Sequence, residues 1–208
     1  MKYDTYIFDL DGTLTDPVEG ITKSFQYAAA AFGIKTELAD LARFIGPPIR
    51  DSFKEIGVSD ENVESAVEKY REYFSKTGIY QNALYPDLPR VLERLKGKTL
   101  AVATNKVKPY AKIILDHFDL SKYFAFVSGD EPDGSLSKDG KGEIIRIALS
   151  AVGGKNAVML GDRKHDILGA AAAGIDSIGV LWGYGTREEL EEAGATHIIK
   201  EAEEIFSI

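Results

Sequence analysis

Residues 5–15, Thr5-Tyr6-Ile7-Phe8-Asp9-Leu10-Asp11-Gly12-Thr13-Leu14-Thr15, decide how this chain is read. An apolar run ends on two carboxylates two residues apart, so a buried strand delivers Asp9 and Asp11 to its C-terminal end. In an open α/β sheet that end is where ligands bind. Residues at i and i+2 of an extended chain point the same way, which turns Asp9 and Asp11 toward one site and Leu10 away from it. Two anions held so close repel unless a proton or a cation intervenes. A Mg2+ site suits them, with one carboxylate as nucleophile and the other as acid and base, and that is phosphoryl-transfer chemistry. Taken alone, Asp11-Gly12 also fits a hairpin turn. A calcium loop does not fit, because its glycine belongs at the sixth position and Gly12 is fourth from Asp9.

From Thr99 onward, short apolar runs alternate with helical patterns. Leu100 to Ala103 precedes Pro109 to His117, Ala157 to Leu160 precedes Asp166 to Ala173, and Ser177 to Leu181 precedes Arg187 to Ala193. This alternation predicts βαβ units around a parallel sheet, a three-layer Rossmann-like α/β core. The first strand, Thr5 to Phe8, belongs to that sheet, yet about ninety residues separate it from the second, too many for one crossover. The intervening stretch carries apolar residues at helical spacing, as in Val63, Val67, Tyr70 and Phe74, and predicts an inserted unit of about four helices. The expected division is a core of residues 1–15 and 80–208 with a helical insertion of residues 16–79. Pro17 suits a first helical turn and Gly78 a helix end, which puts the hinges at Thr15-Asp16-Pro17 and at Gly78 to Pro86.

Two further apolar runs end on polar residues. Thr104-Asn105-Lys106 follows Leu100 to Ala103, and Gly161-Asp162-Arg163-Lys164-His165-Asp166 follows Ala157 to Leu160. In a parallel sheet these ends share one edge, so Thr104, Asp162 and Asp166 converge on Asp9 and Asp11. Four carboxylates in one cleft require cations; Mg2+ is one, and Lys138 or Lys141 offers another.

In these motifs the chain resembles the haloacid dehalogenase-like phosphatases over nearly its whole length. Their DxDGT motif is Asp9 to Thr13, their strand-end Ser or Thr is Thr104, their lysine is Lys141 or Lys138, and their GDxxxD is Gly161 to Asp166. The insertion resembles the helical C1 cap of that superfamily. Phe44 to Ile49, with Trp182 to Gly185, is similar to the phosphoglycolate-phosphatase-like branch. The resemblance implies that Asp9 attacks phosphorus to give an aspartyl-phosphate, while Asp11 protonates the leaving oxygen and then deprotonates water. It implies Mg2+ on Asp9, the backbone carbonyl of Asp11 and Asp162, with Asp166 orienting that shell. Thr104, the N–H of Asn105 and the lysine would hold phosphoryl oxygens beside Gly12 and Thr13. Lys141 is favoured because it opens the helical pattern Glu143 to Leu149, whereas Lys138 lies among Gly134, Ser135 and Ser137; neither precedes the proline usual in the family. Arg50 is a candidate for a substrate carboxylate.

The resemblance thus implies a Mg2+-dependent phosphatase acting on a small phosphorylated metabolite, phosphoglycolate-like or a nucleoside monophosphate. A phosphomutase similar to β-phosphoglucomutase and a non-catalytic phosphate binder on the same fold stand as alternatives. A formal net charge of -8 disfavours a nucleic-acid polymer or an anionic membrane as partner. Without cysteine there is no disulfide framework, thiolate metal site or thiol nucleophile. No signal-like or membrane-spanning stretch is visible, so the cytoplasm is the expected compartment, with a monomer or homodimer as the expected state. Lys96, Lys98, Lys106, Lys108 and Lys112 read as solvated faces, Arg163 as an exposed charge, and Trp182 and Tyr184 as aromatics packed under a loop.

Overall fold

The computed structural model describes residues 2–208. Six parallel strands form one sheet: β1 (Thr5–Phe8), β4 (Thr99–Val107), β5 (Phe126–Asp130), β6 (Ala157–Gly161), β7 (Asp176–Val180) and β8 (His197–Ile199), in the order β5-β4-β1-β6-β7-β8. Two-residue strands β2 (Thr15–Asp16) and β3 (Ala83–Leu84) flank the insertion in sequence. The fold is therefore α/β with a helical insertion after the first strand.

Every residue of β1 is buried, as its position between β4 and β6 demands. Phe8 is in register with Val102 of β4 and Leu160 of β6. Thr104 lies two residues beyond Val102, and Asp162 two beyond Leu160. The register thus brings Thr104, within β4, and the residues after β1 and β6 to one edge. Helices α7 (Gly142–Val152) and α8 (Lys164–Ala173), which follow α5 (Leu88–Arg94) and α6 (Lys108–His117) in the chain, cover the sheet through a cluster of Ile7, Ala101, Ala103, Ile144, Ile145, Ala148, Met159 and Ala170. Each helix ends at a glycine with positive φ, Gly153 at 62° and Gly174 at 73°, a conformation that suits a residue without Cβ.

Two elements differ from expectation. β5 goes unread in the sequence because Phe126-Val127-Ser128-Gly129-Asp130 has only two apolar residues; as an edge strand it needs few. β4 runs past Ala103 to Val107, with a register shift between Thr104 and Val107 where it pairs with β5, so Thr104, Asn105 and Lys106 lie within the strand.

The chain divides into two compact units, Met1–Asp16 with Leu84–Ile208, and Pro17–Ala83. The second contains α1 (Val18–Ala31), α2 (Leu38–Leu41), α3 (Ile49–Ile56) and α4 (Val63–Lys76). Its interior is aromatic: Phe25 meets Phe44, Phe53 and Tyr70 at centroid distances of 5.8, 5.1 and 4.9 Å, and Tyr70 stacks on Phe74. Gly20 lets α1 approach the chain after α4, since a Cβ there would stand 2.0 Å from the Gly78 carbonyl oxygen. Among the described residues no helix is long and apolar enough to cross a membrane.

Candidate active site

The loop after β1 folds on itself through backbone bonds to the Leu10 carbonyl from the N–H groups of Thr13, Leu14 and Thr15. Gly12 has φ +82°, and a Cβ there would lie 2.3 Å from Asp162 Oδ2. The glycine of the first motif thus serves a contact with the fourth: only a bare backbone can pass so close to that carboxylate.

Asp9, Asp162 and Asp166 are buried, and their oxygens lie within 4.8 Å of one another. Lys141, at the N-cap of α7, sends its ammonium 2.8 Å from Asp9 Oδ1 and 2.5 Å from Asp166 Oδ1. Asp166 caps its own helix as well, accepting the Arg163 backbone N–H at 3.0 Å through Oδ2. Asp162 accepts the Tyr184 backbone N–H at 2.7 Å and the Thr13 hydroxyl at 3.4 Å. Lys138 is exposed. Of the two candidates for the motif lysine, Lys141 is the buried one.

The Asp11 side chain stands apart from that group of three. Its Oδ2 pairs with Lys106 Nζ at 2.8 Å, with side-chain exposures of 11% for the aspartate and 7% for the lysine. Its Oδ1 is buried without a hydrogen-bond partner, which leaves an acceptor open. Thr104 is buried, and its hydroxyl accepts the Lys106 backbone N–H at 3.2 Å; Asn105 follows it on β4.

Electrostatics separate these carboxylates. Burial pushes Asp162 well above the usual carboxylate range, and the neighbouring Asp166 and Asp9 charges push the same way. Burial raises Asp166 to about 6 against the pull of Lys141. Asp11 is raised by burial, with Lys106 opposing. Burial draws Lys141 down, but Asp166 and then Asp9 outweigh it and its pKa is raised.

Four buried carboxylates face two ammonium groups, an excess of two negative charges, and three of the four converge on one point. An all-oxygen donor set carrying that excess fits a hard divalent cation. Neutral or thiolate donors, which would favour zinc, do not contribute to the group.

Three residues depart from expectation. Lys106 is not on a solvated face: it is the partner of Asp11, and its spacing of two from Thr104 was the available signal. Arg163 is not an exposed charge either; its side chain is 12% exposed and its Nε donates to Glu189 at 2.9 Å. Arg50 belongs to the helical unit, where its guanidinium pairs with both oxygens of Glu64 at 2.6 and 3.0 Å.

Residues 6–180 match the family model described as haloacid dehalogenase-like hydrolase. A Pseudomonas aeruginosa protein named 5'-nucleotidase is 42% identical over 203 residues, 95% of this chain and 91% of that protein. The phosphoglycolate phosphatase of Aquifex aeolicus is 29% identical across 86% of this chain and 84% of its own. A solved structure described as a predicted phosphatase from Clostridium acetobutylicum is similar at a TM-score of 0.94 and 39% identity, covering 100% of both chains.

Proposed function

The chain belongs to the haloacid dehalogenase-like hydrolases, a phosphatase among them, and on this premise we propose that it is Mg2+-dependent and hydrolyses a small phosphorylated metabolite through an aspartyl-phosphate on Asp9. The observation that carries the reading is the convergence of Asp9, Asp162 and Asp166 within 4.8 Å, with Lys141 spanning two of them. Asp9, Asp162 and Asp166, with the backbone carbonyl of Asp11, are the groups that would hold the cation. When bound, Mg2+ supplies positive charge for the phosphoryl oxygens and for the carboxylates around them.

A carboxylate oxygen of Asp9 bonds to phosphorus as the bond from phosphorus to the leaving oxygen breaks. Asp11 gives its proton to that leaving oxygen and so releases an alcohol. Asp11, now ionised, takes a proton from water; the resulting hydroxide displaces Asp9 from phosphorus, and phosphate leaves. Lys106 holds the Asp11 carboxyl toward its own side of the site, which keeps the acid out of the carboxylate group. Thr104, the Asn105 N–H, Lys141 and the turn at Gly12 and Thr13 steady the phosphoryl oxygens, whose charge the transition state redistributes.

The favoured substrate class is a nucleoside monophosphate. The Pseudomonas aeruginosa 5'-nucleotidase shares more of this sequence than the Aquifex aeolicus phosphoglycolate phosphatase does, at 42% against 29% identity. Arg50, the residue that suggested a substrate carboxylate, is engaged by Glu64. The helical unit, which follows the first motif directly in the chain, selects the part of the substrate beyond phosphate. The test is phosphate release from nucleoside monophosphates, phosphoglycolate, sugar phosphates and pyrophosphate, with Mg2+ and with EDTA. Release from a nucleoside monophosphate that EDTA abolishes is expected. Equal release in EDTA, or none from any substrate, overturns the reading.

A further inference from the structure

The reaction above does not explain the segment Trp182-Gly183-Tyr184-Gly185, which follows β7 and presses against the first and fourth motifs. A Cβ on Gly183 would stand 2.3 Å from the Gly12 carbonyl oxygen, and one on Gly185 would stand 1.8 Å from the Asp162 carbonyl oxygen. Only glycine permits both approaches. Trp182 Nε1–H donates to the Thr13 carbonyl at 3.0 Å, which fixes the segment to the loop after β1.

Tyr184 lies between those glycines and bonds in two directions. Its backbone N–H donates to Asp162 Oδ2 at 2.7 Å. Its hydroxyl donates to the Asp16 carboxylate, with the Tyr85 phenol nearby. Asp16 is the last residue of the core unit before the chain leaves for the insertion, and Tyr85 is the second after it returns. One side chain therefore bonds the outgoing segment, beside the returning one, while the same residue's backbone holds a carboxylate of the candidate metal group.

We infer that Tyr184 is a positioning residue that ties the outgoing segment, at Asp16, to the Asp162 carboxylate and so sets how well that carboxylate receives a divalent cation. The inference rests on the metal reading above and adds to it a residue outside the four motifs. The physical warrant is that partners of a metal-ligating carboxylate fix its orientation, and that their loss typically weakens binding by about 10- to 100-fold. The phenol ring is the rigid link: without its hydroxyl the backbone N–H remains, but nothing anchors the residue to Asp16.

The test is calorimetric titration of the full chain with Mg2+, in the absence of substrate, for the wild type, Tyr184→Phe, Asp16→Ala and the double variant, with melting temperatures alongside. Each single variant is expected to bind Mg2+ about tenfold more weakly, the double variant no more weakly than either, and excess Mg2+ to restore turnover. Wild-type affinity in Tyr184→Phe overturns the inference, including where its melting temperature falls, because that is the signature of packing alone. Losses that multiply to about a hundredfold in the double variant overturn it too, since they place the two residues on separate routes. If either single variant fails to fold, the other decides by the same affinity criterion. A wild type that binds no Mg2+ removes both the cofactor reading and this inference, an outcome distinct from a wild type that binds while its variants match it.

Discussion

At the C-terminal edge of its sheet the core unit buries Asp9, Asp11, Asp162, Asp166 and Lys141, whereas the helical unit fills its interior with Phe25, Phe44, Phe53, Tyr70 and Phe74. The helical unit keeps its ion pairs at the surface: Lys23 with Glu19, Arg43 with Glu55, Arg50 with Glu64, Lys54 with Asp60 and Lys69 with Glu72 all leave at least one partner exposed. Burying an ion costs several kcal/mol unless partners compensate, while burying an aromatic ring stabilises the fold directly. A chain that holds four carboxylates at one sheet edge therefore does so against its own stability, which marks the edge as chemistry and the aromatic interior as support. The difference teaches where substitutions act on turnover and where they act on the fold.

The comparison breaks most directly at Asp9. An amide is a poor nucleophile toward phosphorus, so Asp9→Asn is expected to lower turnover by at least about three powers of ten while the chain still folds. Phosphate release beside a thermal melt checks this, and turnover near wild type would end the aspartyl-phosphate mechanism. Next comes Lys141→Ala, which leaves Asp9 and Asp166 facing each other without an ammonium. Activity is expected to fall by about two to three powers of ten, and stability by about 3–5 kcal/mol, the range for breaking a buried pair. Lys138→Ala, at an exposed residue of the same segment, is expected to change neither. The reverse order would show that the sheet edge does not hold the essential lysine.

Lys106→Met sharpens the comparison within the core. If Lys106 holds the acid, its loss is expected to slow hydrolysis of an alkyl phosphate by about 10- to 100-fold and of p-nitrophenyl phosphate by much less, since nitrophenolate leaves with little need of a proton. An equal loss on both substrates would instead make Lys106 a phosphoryl ligand.

The sequence revealed most where geometry is periodic. Asp9, Asp11, Thr104 and Asp162 could be placed because parallel strands end on one edge and alternate residues share a side, two rules that need no side-chain detail. The helical insertion was visible through Val63, Val67, Tyr70 and Phe74, which are buried on α4. Lys106 was misread because a lysine among lysines looks solvated, and its burial depends on β4 continuing to pair with β5, a strand of weak apolar character. Tyr184 was hidden because its bonds run to Asp16 and Asp162, neither near it in sequence; only the flanking glycines hinted at a close approach. Local pattern reports which face a residue takes, but a partner brought in by tertiary contact leaves no periodic trace.

The smallest expected effect belongs to Arg50, and it bears on the helical unit itself. The sequence suggested that this guanidinium awaits a substrate carboxylate; the structure gives it Glu64, whose carboxyl Arg50 holds below the usual glutamate range. A pair with Glu64 68% exposed is worth about 0.2–1 kcal/mol at most, so Arg50→Gln is expected to leave folding nearly intact. If the pair is only a surface clasp on α3 and α4, KM rises less than about twofold for nucleoside monophosphates and for phosphoglycolate alike. A rise of tenfold or more for phosphoglycolate alone would mean that the carboxylated substrate displaces Glu64. The helical unit would then carry recognition chemistry, and the contrast between a reactive edge and an aromatic support would have to be redrawn at α3.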